Sequence, residues 1–258
     1  MTAQDPANPT PDLSADYAAL LREVAELKAA RRTLGQILVA ISRGMQGSSA
    51  SIKAAVSSLL NHDIFWDPAN QYEFLQTIDK SVDNLAQFAF LLAVASRIEA
   101  ESLDLRPEAY ALQEIVMAAR ARTLARLPDL KLDTTLPDGG AAVRADFEYL
   151  TLALNLLLEV VAAAPTARQV CLEAHEDDSG WQLNISQIDR TSSQLIQTYF
   201  GAAAEGVPAA NALSAQSALK LFIVRDLLDR QAIGLEVHHD PTHDPEIRLR
   251  FGVTQGGR

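Results

Sequence analysis

The sequence predicts a mixed α+β protein. An N-terminal coiled coil and helical hairpin form a dimeric four-helix bundle, and an α/β sandwich follows. Three observations lead to this prediction: a heptad repeat near the N-terminus, a second helical pattern after it, and strand patterns interspersed with helices toward the C-terminus. Strands mixed with helices and hairpins are typical of α+β folds. We expect a disordered leader over residues 1–11, the coiled coil and dimerisation hairpin over residues 12–102, and the α/β domain over residues 103–258.

The first helix is predicted by apolar residues that recur at alternating spacings of four and three between Leu13 and Leu59. Arg31 and Ser48 interrupt this heptad pattern. A helix packed on a globular body shows a wider apolar stripe with a period of about 3.6 residues. A period of about 3.5 residues favours a coiled coil. The pattern therefore predicts a partner helix and a parallel dimer.

A second helix is predicted over about residues 71–101, after a turn over residues 61–70 that contains the helix-start signal Asp67-Pro68. Two antiparallel helices that pair again across a dimer axis give a four-helix bundle. The remaining elements are predicted from alternation and helical periodicity. They are a short strand over residues 103–105, a helix over 107–125, a strand over 130–136, a helix over 146–164, a hairpin of 169–174 and 181–188, a helix over 214–231, and a closing hairpin of 233–237 and 247–253.

Composition excludes several classes of function. The formal net charge is -11, and an acidic protein repels nucleic-acid phosphates and anionic membranes. The single cysteine, Cys171, cannot form an internal disulfide, and no apolar stretch reaches the length of a membrane-spanning helix. The N-terminal residues show no signal-peptide pattern. We therefore expect a cytoplasmic protein without nucleic-acid partners or membrane insertion.

Several short segments occur in a fixed order along the chain. They are Ser51-Ile52-Lys53, Ser96-Arg97-Ile98-Glu99-Ala100 with Leu105-Arg106-Pro107-Glu108, Val143-Arg144-Ala145-Asp146, Asn155-Leu156-Leu157, Leu221-Phe222-Ile223-Val224-Arg225 and Gly234-Leu235-Glu236-Val237. Over roughly residues 40–253, this order resembles the core of the sensor histidine kinases of two-component systems. The resemblance implies a dimerisation and phosphoacceptor hairpin followed by a domain of the ATP-binding type.

The resemblance implies that residues 42–48 stand where the family has its phosphoacceptor motif. There a histidine takes up the phosphoryl group and the next residue, a glutamate, acts as general base. Arg43 takes the place of the histidine, and Gly44 takes the place of the glutamate. A guanidinium stays protonated and offers no lone pair for attack on phosphorus. The heptad pattern places Arg43 at an outward-facing position.

The resemblance also implies a changed nucleotide site. Asn155 matches a conserved asparagine of the family, and Glu159 stands where the family has its magnesium-binding asparagine. Glutamate can itself bind magnesium. Ala162 and Ala163 follow where a basic residue usually meets phosphate.

The two glycine-rich segments of the family are matched by segments without glycine. The first falls in residues 186–191, where Gln187 and Asp189 lie, and the second falls in residues 214–220. Glycines let backbone N–H groups approach phosphate closely. Glu159 and Asp189 are expected to repel a triphosphate, with Lys220 and Arg190 nearby to oppose them. We therefore expect that the chain has lost ATP and magnesium binding and uses no cofactor.

Other chemistry-bearing residues are expected to have structural roles. His238, His239, Asp240, His243 and Asp244 suggest a metal site, but their place in the turn of the closing hairpin favours a solvated loop. His62 falls at the end of the first helix, whereas the family's phosphoacceptor lies in the middle of its helix. Cys171 falls in a strand and is expected to be a small buried residue.

The leading functional hypothesis is a catalytically inactive, dimeric two-component regulator that acts by binding a partner. The partner is a response regulator or an active histidine kinase, and the dimer is formed with a second copy or with such a kinase. The expected docking residues are Arg43, Gln46, Ser49 and Lys53. Two alternatives remain open: an unorthodox histidine kinase or phosphotransfer protein that still binds nucleotide, and a receptor that holds another ligand in the vacated pocket.

Overall fold

The computed structural model describes residues 13–60, 67–137, 142–164, 169–177, 180–200, 215–238 and 244–252. Within these ranges the chain forms six helices and two sheets, which confirms the mixed α+β fold. None of the helices there is both long and apolar enough to cross a membrane. The predicted leader and most of the predicted turn after the first helix lie outside the described residues.

The N-terminal part is a hairpin of two long helices. Helix α1 spans Leu13–Leu59 without a break and helix α2 spans Pro68–Glu99. The predicted start signal is confirmed, because the Asp67 carboxylate accepts a hydrogen bond from the Ala69 N–H at 2.7 Å and Pro68 occupies the first turn. Helix α1 buries Ile41 and Ala55, and α2 buries an apolar stripe that includes Phe88 and Leu91. The two helices contact each other along the hairpin.

The C-terminal part alternates strands and helices. Its elements are strand β1 (Glu108–Ala111), helix α3 (Leu112–Arg126), strand β2 (Lys131–Thr135), strand β3 (Ala142–Ala145), helix α4 (Phe147–Val161), strand β4 (Gln169–Asp177), strand β5 (Gly180–Ser186), helix α5 (Arg190–Phe200), helix α6 (Ala215–Asp229), strand β6 (Gly234–His238) and strand β7 (Glu246–Gly252). The main sheet has the strand order β2-β4-β5-β7-β6, and β1 pairs with β3 in a separate two-stranded sheet.

Both predicted hairpins are confirmed. Strands β4 and β5 pair antiparallel, as do β6 and β7, and β5 pairs antiparallel with β7 between them. Strand β2 joins the sheet edge in parallel with β4. The predicted strand over residues 130–136 and the helices over 146–164 and 214–231 are also present, each shortened by a few residues within the described ranges.

Two sequence-based predictions are corrected. No strand forms over residues 103–105, and the helix predicted from residue 107 begins at Leu112. The residues before it form β1 because they pair antiparallel with β3, for example Tyr110 with Val143. Helix α5 was not predicted either. Its apolar residues Leu195, Ile196, Tyr199 and Phe200 recur at helical spacing among polar neighbours.

The core is formed where alternate residues of the main sheet meet α3, α4 and α6. Leu183 and Ile185 from β5 and Leu249 from β7 are fully buried there, together with Leu157 from α4 and Ile223 from α6. Burial of one such side chain contributes about 1.5–3 kcal/mol. The same cluster of buried residues continues into the hairpin. The C-terminal part therefore packs directly on the hairpin.

Asp146 joins three segments at the junction between the two parts. Its carboxylate caps α4 by accepting from the Tyr149 N–H at 3.1 Å, and its second oxygen accepts from the Arg106 N–H at 2.9 Å. Its own N–H donates to the side-chain oxygen of Gln231, just after α6, at 2.8 Å. One residue, through its carboxylate and its backbone N–H, therefore fixes the linker, the start of α4 and the end of α6 relative to one another.

Candidate functional site

The residues expected to dock a partner lie together on the outer surface of α1. Arg43, Gln46, Ser49 and Lys53 are all exposed. At 3.6 residues per turn they fall within an arc of about 120° on the helix. Ile41 and Ala55, which pack on α2, lie on the opposite side. This surface, the Arg43 face, is accessible in the single chain.

Gly44 has a packing role. A Cβ atom at this position would lie 2.6 Å from Cζ of Phe88, far below a normal contact distance. Phe88 itself is only 6% exposed, so its ring lies against the backbone of α1. The residue that the resemblance places in the general-base position therefore allows α1 and α2 to approach each other closely.

A buried polar cluster lies where α2, α3, α4 and α6 meet. Its centre is the carboxylate of Glu159, which is 6% exposed. One oxygen, Oε2, lies 2.6 Å from Nζ of Lys220 and accepts from Nε2 of Gln87 at 2.9 Å. The other, Oε1, accepts from Nδ2 of Asn155 at 3.2 Å and lies 3.5 Å from Nε of Arg126. Both oxygens of the carboxylate are therefore engaged by donors from four helices.

Local sequence explains why these side chains converge. Asn155 and Glu159 are four residues apart on α4, so they lie on one face of the helix. Oδ1 of Asn155 accepts from the hydroxyl of Thr123 on α3 at 3.0 Å, which orients its amide nitrogen toward Glu159. Gln216 at the start of α6 donates to Oε1 of Gln87. The cluster is thus hydrogen-bonded across its whole width.

Burial and ion pairing shift the pKa of Lys220 in opposite directions. Desolvation lowers the pKa of Lys220, and the neighbouring Glu159 carboxylate partly opposes this shift. A buried ion pair is tolerated when its geometry is good and its remaining polar atoms are bonded. Glu159 was expected to repel a triphosphate, with Lys220 nearby to oppose it. Lys220 pairs directly with Glu159 at 2.6 Å, so the two charges offset each other.

A cavity of about 810 Å³ lies beside the cluster, between α2 on one side and α3, α4 and α6 on the other. Three cationic residues (Lys80, Arg126 and Lys220) and two acidic residues (Asp83 and Glu159) contribute to its lining. Ala162 and Ala163 form part of its wall, and Phe90 contributes an aromatic ring. Among the described residues, the lining has one more cationic than acidic side chain.

The residues of the first glycine-free segment lie in the turn between β5 and α5. Gln187 has a φ of 60°, a left-handed conformation that favours glycine. The Asp189 carboxylate accepts from the Thr191 N–H at 2.7 Å, and its carbonyl accepts from the Ser193 N–H at 3.0 Å. Asp189 therefore caps α5, and neither residue is among the described residues that line the cavity. The described residues of the second segment, 215–220, form the first turns of α6.

Among the residues that the structure describes, no group of three or more His, Cys, Asp or Glu side chains is placed to hold a metal ion. His238 and Asp244 are exposed at the two ends of the closing turn. His62, His239, Asp240 and His243 lie outside the described residues. Cys171 is half-buried on β4, and burial raises the pKa of its thiol.

Sequence reasoning missed Gln87, Arg126 and Gln216 as partners of Glu159. Gln87 did give a weak signal in the sequence. It lies four residues before Leu91, and it is a polar residue on the face of α2 that is otherwise apolar toward the C-terminal end of the helix. No local signal could have joined α2 to α4 and α6. The contacts span 72 residues for Gln87 with Glu159 and 129 residues for Gln87 with Gln216.

Solved structures with a similar fold are histidine kinases. The Acinetobacter baumannii histidine kinase AdeS is 13% identical, over 81% of this chain and 97% of its own, with a TM-score of 0.57. The histidine kinase ThkA in complex with the response regulator protein TrrA is 14% identical, over 92% of this chain and 68% of its own, with a TM-score of 0.57. Full-length ShkA in complex with AMPPNP is 13% identical, over 85% of this chain and 46% of its own, with a TM-score of 0.51.

No protein-family model matches the sequence, and no curated protein matches it significantly. The TM-scores of 0.57 show a common fold, and sequence identities of 13–14% show no more than that. The chain therefore has the fold of the histidine-kinase core.

Proposed function

We propose that the chain is a two-component signalling protein that regulates by binding a partner, as a catalytically inactive counterpart of a histidine kinase. The observation that carries this proposal is the engagement of Glu159. Its carboxylate occupies the place that the resemblance gives to the magnesium ligand, and it is bound by Lys220 at 2.6 Å. Magnesium requires oxygen ligands at about 2.0–2.1 Å in octahedral geometry. A magnesium ion would have to displace the Lys220 ammonium and leave that charge buried.

Arg43 supports the same proposal. Its guanidinium is exposed on α1 at the place that the resemblance gives to the phosphoacceptor histidine. Phosphoryl transfer requires a nucleophile with a free lone pair, and a guanidinium offers none. The exposed position suits a residue that contacts another protein through charge and hydrogen bonds.

Calorimetric titration with magnesium and ATP tests the loss of catalysis. We expect no binding in the micromolar range and no labelled phosphate on the chain after incubation with ATP. Micromolar binding that is abolished by Glu159→Ala would favour the unorthodox kinase or phosphotransfer protein instead. Labelled phosphate on any nitrogen of the purified chain would exclude the proposal.

A second copy of the chain is the proposed partner for one face of α2. Leu75 and Val82 are 55% and 49% exposed and lie seven residues apart, two helical turns, on one side of the helix. Ile78 and Leu85 lie between and beside them and are half-buried. This apolar face, the Leu75–Val82 face, is directed away from both α1 and the C-terminal part. A heterodimer with a histidine kinase would use the same face.

A response regulator is the proposed partner for the Arg43 face. One similar structure is a histidine kinase bound to a response regulator protein, which motivates this class of partner. Charge reversal at two positions, Arg43→Glu with Lys53→Glu, should weaken binding of the cognate regulator by at least tenfold. Lys131→Glu, an exposed change of the same kind on β2, is the control. Equal effects of the two variants would exclude the Arg43 face as the docking site.

The cavity favours one further candidate function, a receptor for a small molecule. Its volume of about 810 Å³ falls in the range of ligand pockets, about 300–1,000 Å³. Native mass spectrometry of protein purified from its host distinguishes this candidate from a pure scaffold. A mass increment that is lost in an Arg126→Ala variant would favour the receptor, whereas a bare protein would count against it.

A further inference from the structure

The interface between the hairpin and the C-terminal part changes character along α2. Toward the C-terminal end of the helix the contacts are apolar, through Leu91 and Ile98, which belong to the same buried cluster as residues of α6. The carbonyl of Ile98 also accepts from Nη2 of Arg230 at 3.2 Å. Asp146 fixes the linker close by. This end of the interface is therefore firmly anchored.

The other end of the interface is open. Lys80, Asp83 and Asn84 of α2 lie on the same side of the helix as Gln87, but they line the cavity. Across the cavity stand Arg126 of α3 and Ala163 of α4. The two parts thus meet in a wedge, closed near Ile98 and open near Lys80.

Gln87 lies where the wedge opens. It is 7% exposed, and both ends of its amide are used across the interface: Nε2 donates to Glu159 and Oε1 accepts from Gln216. Eleven residues separate Gln87 from Ile98, or about 16 Å along the helix at about 1.5 Å per residue. A contact so far from the anchored end has the greatest leverage on the angle between the two parts.

We propose that Gln87, Glu159 and Lys220 form a latch that holds the C-terminal part closed against the hairpin, with the anchored end near Ile98 as its hinge. The Lys220 ammonium lies 2.6 Å from Oε2 of Glu159 and orients the carboxylate, so that the same oxygen can accept from the Gln87 amide at 2.9 Å. Polar interfaces within a chain permit relative motion of the parts more readily than large apolar ones. When the latch opens, the cavity widens and water replaces the bonds to Gln87. The latch operates whichever partner the chain binds.

Distance measurement between two spin labels tests the latch in the full chain. The labels replace Gln76 on α2 and Ala121 on α3, both exposed, in a Cys171→Ser background that leaves no other thiol. An excess of unlabelled protein suppresses distances between chains. The otherwise unchanged protein should give one short, narrow distribution. Gln87→Ala should add a longer population and raise the ratio of open to closed molecules about tenfold, the size expected for loss of a hydrogen bond to a charged group.

Gln87→Glu should open the latch further, because it places a second carboxylate next to Glu159. Acidification should close this variant again, since protonation of the introduced carboxylate removes the repulsion. Gln71→Ala, the same type of change on the exposed start of α2, is the matched control and should behave as the parent. Unchanged distances in both Gln87 variants, or loss of folded protein without a longer population, would overturn the latch.

Discussion

Gly44 shows how one residue can be explained by packing where the resemblance alone would suggest lost chemistry. Glycine in the middle of a helix is about 1 kcal/mol less favourable than alanine. At residue 44 the lower helix propensity of glycine is offset, because Phe88 occupies the space that a larger side chain would need. The glycine at residue 44 is therefore coupled to the way the two hairpin helices fit together.

Substitution Gly44→Ala should destabilise the protein although it raises helix propensity. The new Cβ would lie 2.6 Å from Cζ of Phe88, whose side chain is buried, and such overpacking costs about 1–3 kcal/mol. Gly47→Ala is the matched control, since nothing lies within 4 Å of its Cβ position; it should stabilise by about 0.5–1 kcal/mol. Urea unfolding of both variants measures the difference. A stabilising effect of Gly44→Ala equal to that of Gly47→Ala would show that Phe88 yields easily.

The buried phenol of Tyr199 leads us to predict a loss of stability at alkaline pH. Burial raises the pKa of its phenol from 10.0 to about 12, with Arg225 opposing the shift. The phenol therefore contributes stability that is fully present below pH 10, the unfolded value, and is lost as the pH rises through about 12. As the pH rises from 10 to about 12, the free energy of unfolding of Tyr199→Phe should therefore fall by about 2–3 kcal/mol less than that of the parent. Thermal unfolding of Tyr199→Phe and of the parent between pH 9 and pH 12 checks it; parallel curves would contradict the assignment.

At the scale of elements, the start of α2 is set by a single side chain. The Asp67 carboxylate caps the Ala69 N–H at 2.7 Å on an exposed part of the chain. Asp67→Ala should destabilise by about 1 kcal/mol, and Asp67→Ser should retain most of the cap. Unfolding midpoints of the two variants provide the measurement. Equal midpoints would mean that Pro68 alone suffices to begin the helix.

Elements with a local signal could be predicted, and elements that depend on distant partners could not. The heptad pattern predicted α1 as one helix, and alternation predicted the hairpin of β4 and β5 because the two strands are neighbours in sequence. Strands β1 and β3 are four residues each and pair across more than 30 residues. Nothing in residues 108–111 distinguishes a short strand from the first turn of α3. Only the pairing with β3 decides between them.

The same limit applies to the candidate site. Glu159 and Asn155 could be identified by resemblance, and the expected exposure of Arg43 followed from its place in the heptad. The resemblance placed Lys220 near Glu159, but their direct ion pair could not be predicted, because 61 residues separate them and the contact depends on how α6 crosses α4. Burial decides the chemistry there: the same two charges on a solvated surface would contribute little.

At the scale of the whole molecule, α2 presents three faces with different partners. One face packs on α1, a second carries Gln87 and Leu91 toward the C-terminal part, and the third is the Leu75–Val82 face. Val82→Glu should convert a dimer into a monomer, because it places a charge in the proposed apolar interface. Light scattering coupled to size-exclusion chromatography measures the mass. Gln76→Glu, on the exposed flank of the same helix, should leave the mass unchanged, and a monomeric parent would exclude the dimer.

Helix α1 has 47 residues and α2 has 32, so α1 is longer by 15 residues. At about 1.5 Å per residue, α1 is a rod of about 70 Å, and the extra length is about 22 Å. A rod of this length amplifies small rotations: a tilt of about 5° at one end moves the other by about 6 Å. A displacement of the N-terminal end of α1 by several ångströms therefore requires only a slight reorientation where α1 meets α2 and α6.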